Sequence, residues 1–216
     1  MKKLLIITDS LGLPRQKPEV VAYDETWINE LAKYYKVHQV SIGGGLISEL
    51  YTQIEYIKMF EPDIVIVQAG IVDCAPRAMT KFESIFLNKF WLTRKFLKKV
   101  LTQKTLAFLR KKRNCTYTDI KMFEKYVNDF SSVFSGKLYW VEIIPASTGY
   151  ETNVPGITNN VTAYNKIIQN HLKQNTISLE DIEAKHIMTD HIHFSKEGHA
   201  YLSNKIKTTL TEIKSV

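Results

Sequence analysis

Apolar residues along this chain follow two alternating rhythms. Short dense runs occupy 2–8, 37–42, 63–68 and 138–144, and each closes in polar or turn-forming residues: Thr8-Asp9, Gly43-Gly44-Gly45, Ala69-Gly70 and Pro145. Runs of this length, rich in Ile and Val, predict buried strands, and 176–179 predicts a short fifth. Between them the spacing becomes helical. Trp27, Leu31 and Tyr34 mark a helix over 26–35, and Leu46, Leu50, Ile54 and Ile57 line one side of a helix over 46–60 that Pro62 ends. Further helices are predicted over 161–172 and 195–213, the last capped by Ser195 with Glu197 in its first turn. The segment 81–134 reads as mostly helical with an interruption near 114–116, whereas 13–17 and 146–160 read as loops.

Strands alternating with helices imply an α/β fold with a mostly five-stranded parallel sheet and helices on both faces. The segment 81–134 is too long for a plain crossover, so it predicts a helical insertion near the carboxyl edge of the sheet, where such folds place ligands. No Pro/Gly/Ser-rich linker divides the chain, and 1–216 is expected to form one domain.

Composition narrows the class. Apolar residues make up 44% and charged residues 24%, proportions of a soluble globular protein that argue against disorder. Met1-Lys2-Lys3 before Leu4-Leu5-Ile6-Ile7 imitates a signal peptide, but the apolar run stops at Thr8-Asp9, too short for that role. No run approaches membrane-spanning length, and the chain is expected to be cytoplasmic. Cys74 and Cys115 lack metal-ligand spacing and fit free thiols in a reducing compartment. The net charge is +7, but ten Lys or Arg and no acid fall between Lys89 and Arg113, leaving the rest of the chain at −3. Basicity confined to one segment argues against a nucleic-acid partner. Within it, Phe90, Leu97, Val100, Leu101 and Phe108 could face the core while Lys95, Lys98, Lys99 and Arg110 face out. Its plain reading is a solvated basic helix face; the functional one is contact with an acidic glycan, a membrane surface or a lipid-linked sugar. The aromatics Phe90, Trp91, Phe96 and Phe108 stand at helical spacing, as core residues do.

Two short motifs carry chemistry. Thr8-Asp9-Ser10-Leu11 closes the first strand, and Asp190-His191-Ile192-His193 precedes the last helix. A serine in the turn after a strand is exposed at the sheet's carboxyl edge. An Asp and a His three residues apart can be presented by one loop, the acid orienting the imidazole that deprotonates the serine. Alone, each motif is weak: a Ser after a strand is usually a turn residue, and an Asp-x-x-His before a helix is often only a cap.

Order and context add a resemblance. Thr8-Asp9-Ser10-Leu11 is similar to the Gly-Asp-Ser-Leu block of the SGNH (GDSL-type) hydrolases, with Thr for the first Gly. Ser41-Ile42-Gly43-Gly44-Gly45 resembles the second block, Gly70-Ile71-Val72-Asp73 stands where Gly-x-Asn-Asp belongs, and Asp190-x-x-His193 matches the last. The resemblance implies a three-layer flavodoxin-like fold, a Ser10–His193–Asp190 triad, and oxyanion donors at the N–H groups of Ser10 and Gly44, with Gly43 and Gly45 also open. It implies an esterase for a small acyl, acetyl-like ester on a carbohydrate, within surface-polysaccharide metabolism, with no metal or cofactor. An acyltransferase of the same mechanism acting on a polysaccharide precursor is one alternative. A catalytically silent flavodoxin-like binding module is the other.

Val72 is the main departure. The family's Asn donates a side-chain N–H to the oxyanion, and losing one such donor costs about 2.7–4 kcal/mol. Arg77 is a candidate substitute, or a ligand for an acidic substrate group. Asp73, the other candidate at the substrate site, is expected mainly to fix its own turn by hydrogen bonding to backbone. Cys74, beside that carboxylate, is a poor nucleophile; His199 is expected to be structural and His191 to point away. The loop 147–153, with Asn159, Asn160, Tyr164 and Asn165, suits sugar hydroxyls and ordinary capping alike.

Overall fold

A computed structural model describes residues 1–89 and 102–212. Its elements run β1 (Lys3–Thr8), α1 (Trp27–Ala32), β2 (Lys36–Ser41), α2 (Ile47–Tyr51), α3 (Ile54–Ile57), β3 (Ile64–Gln68), α4 (Ile71–Cys74) and α5 (Lys81–Lys89). They continue as α6 (Gln103–Arg113), α7 (Ile120–Val133), β4 (Leu138–Val141), α8 (Thr148–Asn153), α9 (Ile157–Leu172), β5 (Thr176–Ile177) and α10 (Lys196–Glu212). The five strands form one parallel sheet in the order β2-β1-β3-β4-β5. Helices flank it to make three layers: α1 packs with α10, and α7 packs with α2 and α9.

β1 and β3 are central and covered on both faces, which explains their continuous apolar runs in place of alternation. The register pairs Thr8 with Ser41 on one side and Gln68 on the other, so three strands finish level at their carboxyl ends. From β1 the chain steps outward to β2 and then returns to β3 on the opposite side. The loops after β1 and β3 therefore diverge, opening the crevice in which open parallel sheets bind ligands.

Four sequence expectations change in detail. The helix over 46–60 is broken into α2, α3 and a 3-10 turn, although Leu46, Leu50, Ile54 and Ile57 are all buried as expected. Thr52 marks the break, its hydroxyl donating to the Glu49 carbonyl and competing with the helical backbone. α1 stops at Ala32, leaving Tyr34 exposed with the Lys207 ammonium 5.1 Å above its ring. The loop 146–160 contains α8, whose Thr, Gly and Asn are poor helix formers. A Ser147 N-cap and the buried Tyr150 hold it instead.

The fourth concerns the basic segment. α7 buries Phe123, Val127 and Phe130 and is the crossover from β3 to β4, so the insertion proper is α5 and α6. Asn114, left-handed at φ 43°, caps α6 by donating to the Arg110 carbonyl and makes the interruption. On α6 the expected orientation is reversed. Phe108 is 63% exposed, while Arg110 turns inward and donates from Nη1 to the Asn153 carbonyl at 2.7 Å. A carbonyl left over at the end of α8 outcompetes solvent for the guanidinium. The positions named between 90 and 101 lie outside the described residues. No helix among the described residues is long and apolar enough to cross a membrane.

Candidate active site

Ser10 opens a 3-10 turn directly after β1. Asp9 caps that turn, its Oδ1 accepting the Leu11 N–H at 2.9 Å. Thr8, which replaces the first glycine of the block, is buried and donates from its hydroxyl to the Gln68 side chain at 2.7 Å across the β1–β3 register. The loop before α10 approaches from the far end of the chain. His193 Nε2 lies 3.1 Å from Ser10 Oγ, and His193 Nδ1 lies 2.6 Å from Asp190 Oδ2. The other Asp190 oxygen accepts the N–H groups of Ile192 and His193, both at 3.0 Å, so one carboxylate fixes the loop and the imidazole together.

The network sets the tautomer. With Nδ1–H donated to Asp190, Nε2 is bare and can accept the serine proton. Burial holds the His193 pKa below its ordinary value, and the Asp190 carboxylate opposes that shift. Burial would raise Asp190, but the N–H groups of His193 and Ile192 and the imidazole outweigh it and keep the acid below the usual carboxylate range. Ser10, His193 and Asp190 thus form a continuous proton path with a neutral base at neutral pH.

One N–H of the glycine triplet is already committed. The Gly45 N–H donates to the Ile42 carbonyl at 2.9 Å and closes the turn. Gly44, exposed at φ +67°, has open space around it, and among the described residues nothing accepts its N–H or that of Ser10. Asp73 has a longer reach than its own turn. Buried, it accepts the Ile47 N–H at 3.2 Å and the Thr118 hydroxyl at 2.5 Å, tying α4 to the start of α2 just after the glycines. Burial lifts its pKa to about 6, against the opposing Thr118 and Ile47 hydrogen bonds. Arg77 donates from Nη2 to the Val72 carbonyl at 2.7 Å and stacks over Tyr117, its guanidinium carbon 4.4 Å from the ring centroid.

Other candidates are engaged elsewhere. Burial, then Asp73, pushes the Cys74 thiol far up. His199, its pKa pressed to about 4 by burial, accepts the Trp27 N–H on Nδ1 at 3.2 Å and locks α10 to α1. His191 pairs its Nδ1 with Ser147 Oγ at 3.1 Å. Asn160 donates to the Cys74 carbonyl, Asn165 pairs with both backbone groups of Ile143, and Tyr164 donates to the Thr118 carbonyl, so all three act as internal clamps. Among the described residues no cluster of His, Cys, Asp or Glu could hold a metal.

Sequence reasoning missed two groups. Asp9 was legible only as part of the motif, yet it is wholly buried with Oδ2 unpartnered, and burial raises its pKa to about 7. Arg110 was hidden among nine other cations, with no signal that this one turns inward.

Solved structures provide the comparison. The lipase/acylhydrolase from Enterococcus faecalis matches with a TM-score of 0.63 at 16% identity, over 100% of this chain and 96% of its own. An acetyl xylan esterase, AlAXEase, matches at 0.60 and 15%, over 95% and 98% of the two chains. A GDSL-like lipase from Bacteroides thetaiotaomicron matches at 0.57 and 11%, over 98% and 89%. No family model and no curated protein matches the chain. The likeness spans nearly the whole length, and the chain has the SGNH-hydrolase fold.

Proposed function

We propose that this protein is a serine esterase that removes a small acyl, acetyl-like group from a carbohydrate. The observation that carries this reading is the unbroken chain from Ser10 Oγ through His193 to Asp190. Ser10 attacks the acyl carbonyl as His193 takes its proton, and Asp190 stabilises the imidazolium. The N–H groups of Ser10 and Gly44 receive the oxyanion. His193 returns the proton to the leaving alcohol, and water attacks the acyl-enzyme to free the acid and Ser10. The likeness to an acetyl xylan esterase supports a sugar ester as the substrate.

The direct test is labelling by a fluorophosphonate followed by peptide mapping. The expected adduct is on Ser10 and absent from Ser10→Ala. A folded protein that takes no label is the silent binding module, a reading that the lost donor at Val72 favours. A labelled protein whose acyl group passes to a sugar hydroxyl faster than to water is an acyltransferase.

The depressed His193 pKa makes a second, independent expectation. A base must be neutral to accept the serine proton, so kcat/KM for a neutral ester should rise with pH through a midpoint below about 6.5. A midpoint above that value, with chemistry rate-limiting, would show that a different group is the base.

A further inference from the structure

We propose that Arg77 and Arg110 form an anion-binding subsite near the triad, so that the ester substrate carries a carboxylate or phosphate in addition to its acyl group. The proposal rests on the esterase reading for its substrate, and on the two guanidiniums for its chemistry. Arg77 follows α4, and Arg110 reaches in from α6. Among the described residues each side chain makes one hydrogen bond, to the carbonyls of Val72 and Asn153, and each has a buried Nε without a partner. Among the described residues neither meets a carboxylate within ion-pair distance, while nearby Arg113 pairs with Glu83 at 2.8 Å. The stretch 90–101 contains four Lys or Arg and no Asp or Glu. Asp73 lies within reach of the Arg77 charge, but its oxygens are engaged by Ile47 and Thr118.

The Arg77 N–H donates to the Cys115 carbonyl at 2.8 Å, just past the end of α6, which brings Arg77 to the helix that carries Arg110. Two half-buried cations held near each other are costly without an anion. Burial, then the charge of Arg77, holds Arg110 below the usual arginine range, which places the two in each other's field. Holding one helix-end carbonyl needs only a neutral donor. A pair of forked guanidiniums with free N–H groups suits an oxyanion instead.

Its position follows from α8. Gly149, near one end, lies so close to the His191 ring that a Cβ there would stand 2.6 Å from it, and Asn153 at the other end meets Arg110. A helix of that length spans roughly 9 Å. Tyr150, buried between them, feels Arg77, Arg110 and Asp190 together. The subsite therefore lies one short helix away from the loop that carries Asp190 and His193.

Calorimetric titration of Ser10→Ala protein with glucuronate, glucose 6-phosphate and glucose tests this without turnover. At least one anionic sugar is expected to bind about 10-fold or more tightly than glucose, and whichever binds identifies the carboxylate or the phosphate as the source. Adding Arg110→Gln, which keeps a donor for the Asn153 carbonyl, should weaken that binding about 10-fold and flatten its salt dependence. Arg77→Gln should do the same. Equal binding of all three sugars, or anion binding unchanged in both variants, overturns the subsite. Because no ester is cleaved in this assay, a failed esterase reading leaves the binding result standing, and lost anion binding leaves Ser10 labelling intact.

Discussion

Ser10→Ala is expected to lower kcat for p-nitrophenyl acetate hydrolysis at neutral pH by about 10⁴-fold or more, and His193→Ala by a similar factor. The two atoms stand 3.1 Å apart, one proton transfer from each other, so neither works without its partner. The double variant should therefore be little worse than either single one, because the second substitution removes a function already lost. Asp190→Asn should keep more activity. An amide oxygen at Oδ1 can still accept the N–H groups of Ile192 and His193 and hold the loop. Its amide nitrogen, however, would face Nδ1 as a donor and favour the wrong imidazole tautomer. Wild-type turnover in Ser10→Ala would remove the relay altogether; additive losses in the double variant would mean that serine and histidine act in separate steps.

The second large effect is a gain. Val72→Asn is expected to raise kcat for the same ester by up to about 10²-fold, the scale of one oxyanion donor. The backbone at this position is held from two sides. Arg77 grips the Val72 carbonyl, and the next residue, Asp73, is anchored by its carboxylate to the Ile47 N–H at the start of α2. A donor placed at 72 thus enters a turn already fixed against the glycine loop. Val72→Ala removes the β-branch, as Asn does, without adding an N–H, and should change little. The comparison separates the two causes: a gain in Asn alone assigns a missing donor, whereas an equal gain in Ala assigns relief of crowding. No gain in either would leave the N–H groups of Ser10 and Gly44 as the whole oxyanion site.

Much of this molecule can be read from the chain because its signals are local. β1 and β3 are covered on both faces, so burial wrote itself into the sequence as unbroken Leu, Ile and Val runs. Ser10 after a strand and Asp190 three residues before His193 were legible for the same reason, since a turn and a single loop are short-range objects. Spacing also placed Leu46, Leu50, Ile54 and Ile57 in the core, although the helix carrying them is broken.

What the chain could not express is any choice made by a distant partner. The contact between Ser10 and His193 joins residues 183 apart, and only the parallel register that ends three strands level brings the serine to the loop. α8 has poor helix formers and exists because Tyr150 is buried and Ser147 caps it. Arg110 turned inward toward a carbonyl 43 residues away, against its own helical pattern. Asp73 secures α2 and not merely its own turn, because Ile47 is delivered beside it by the fold. Periodicity records which face of an element is apolar; which polar groups meet is decided by backbone donors and acceptors that only the packed chain leaves unpaired.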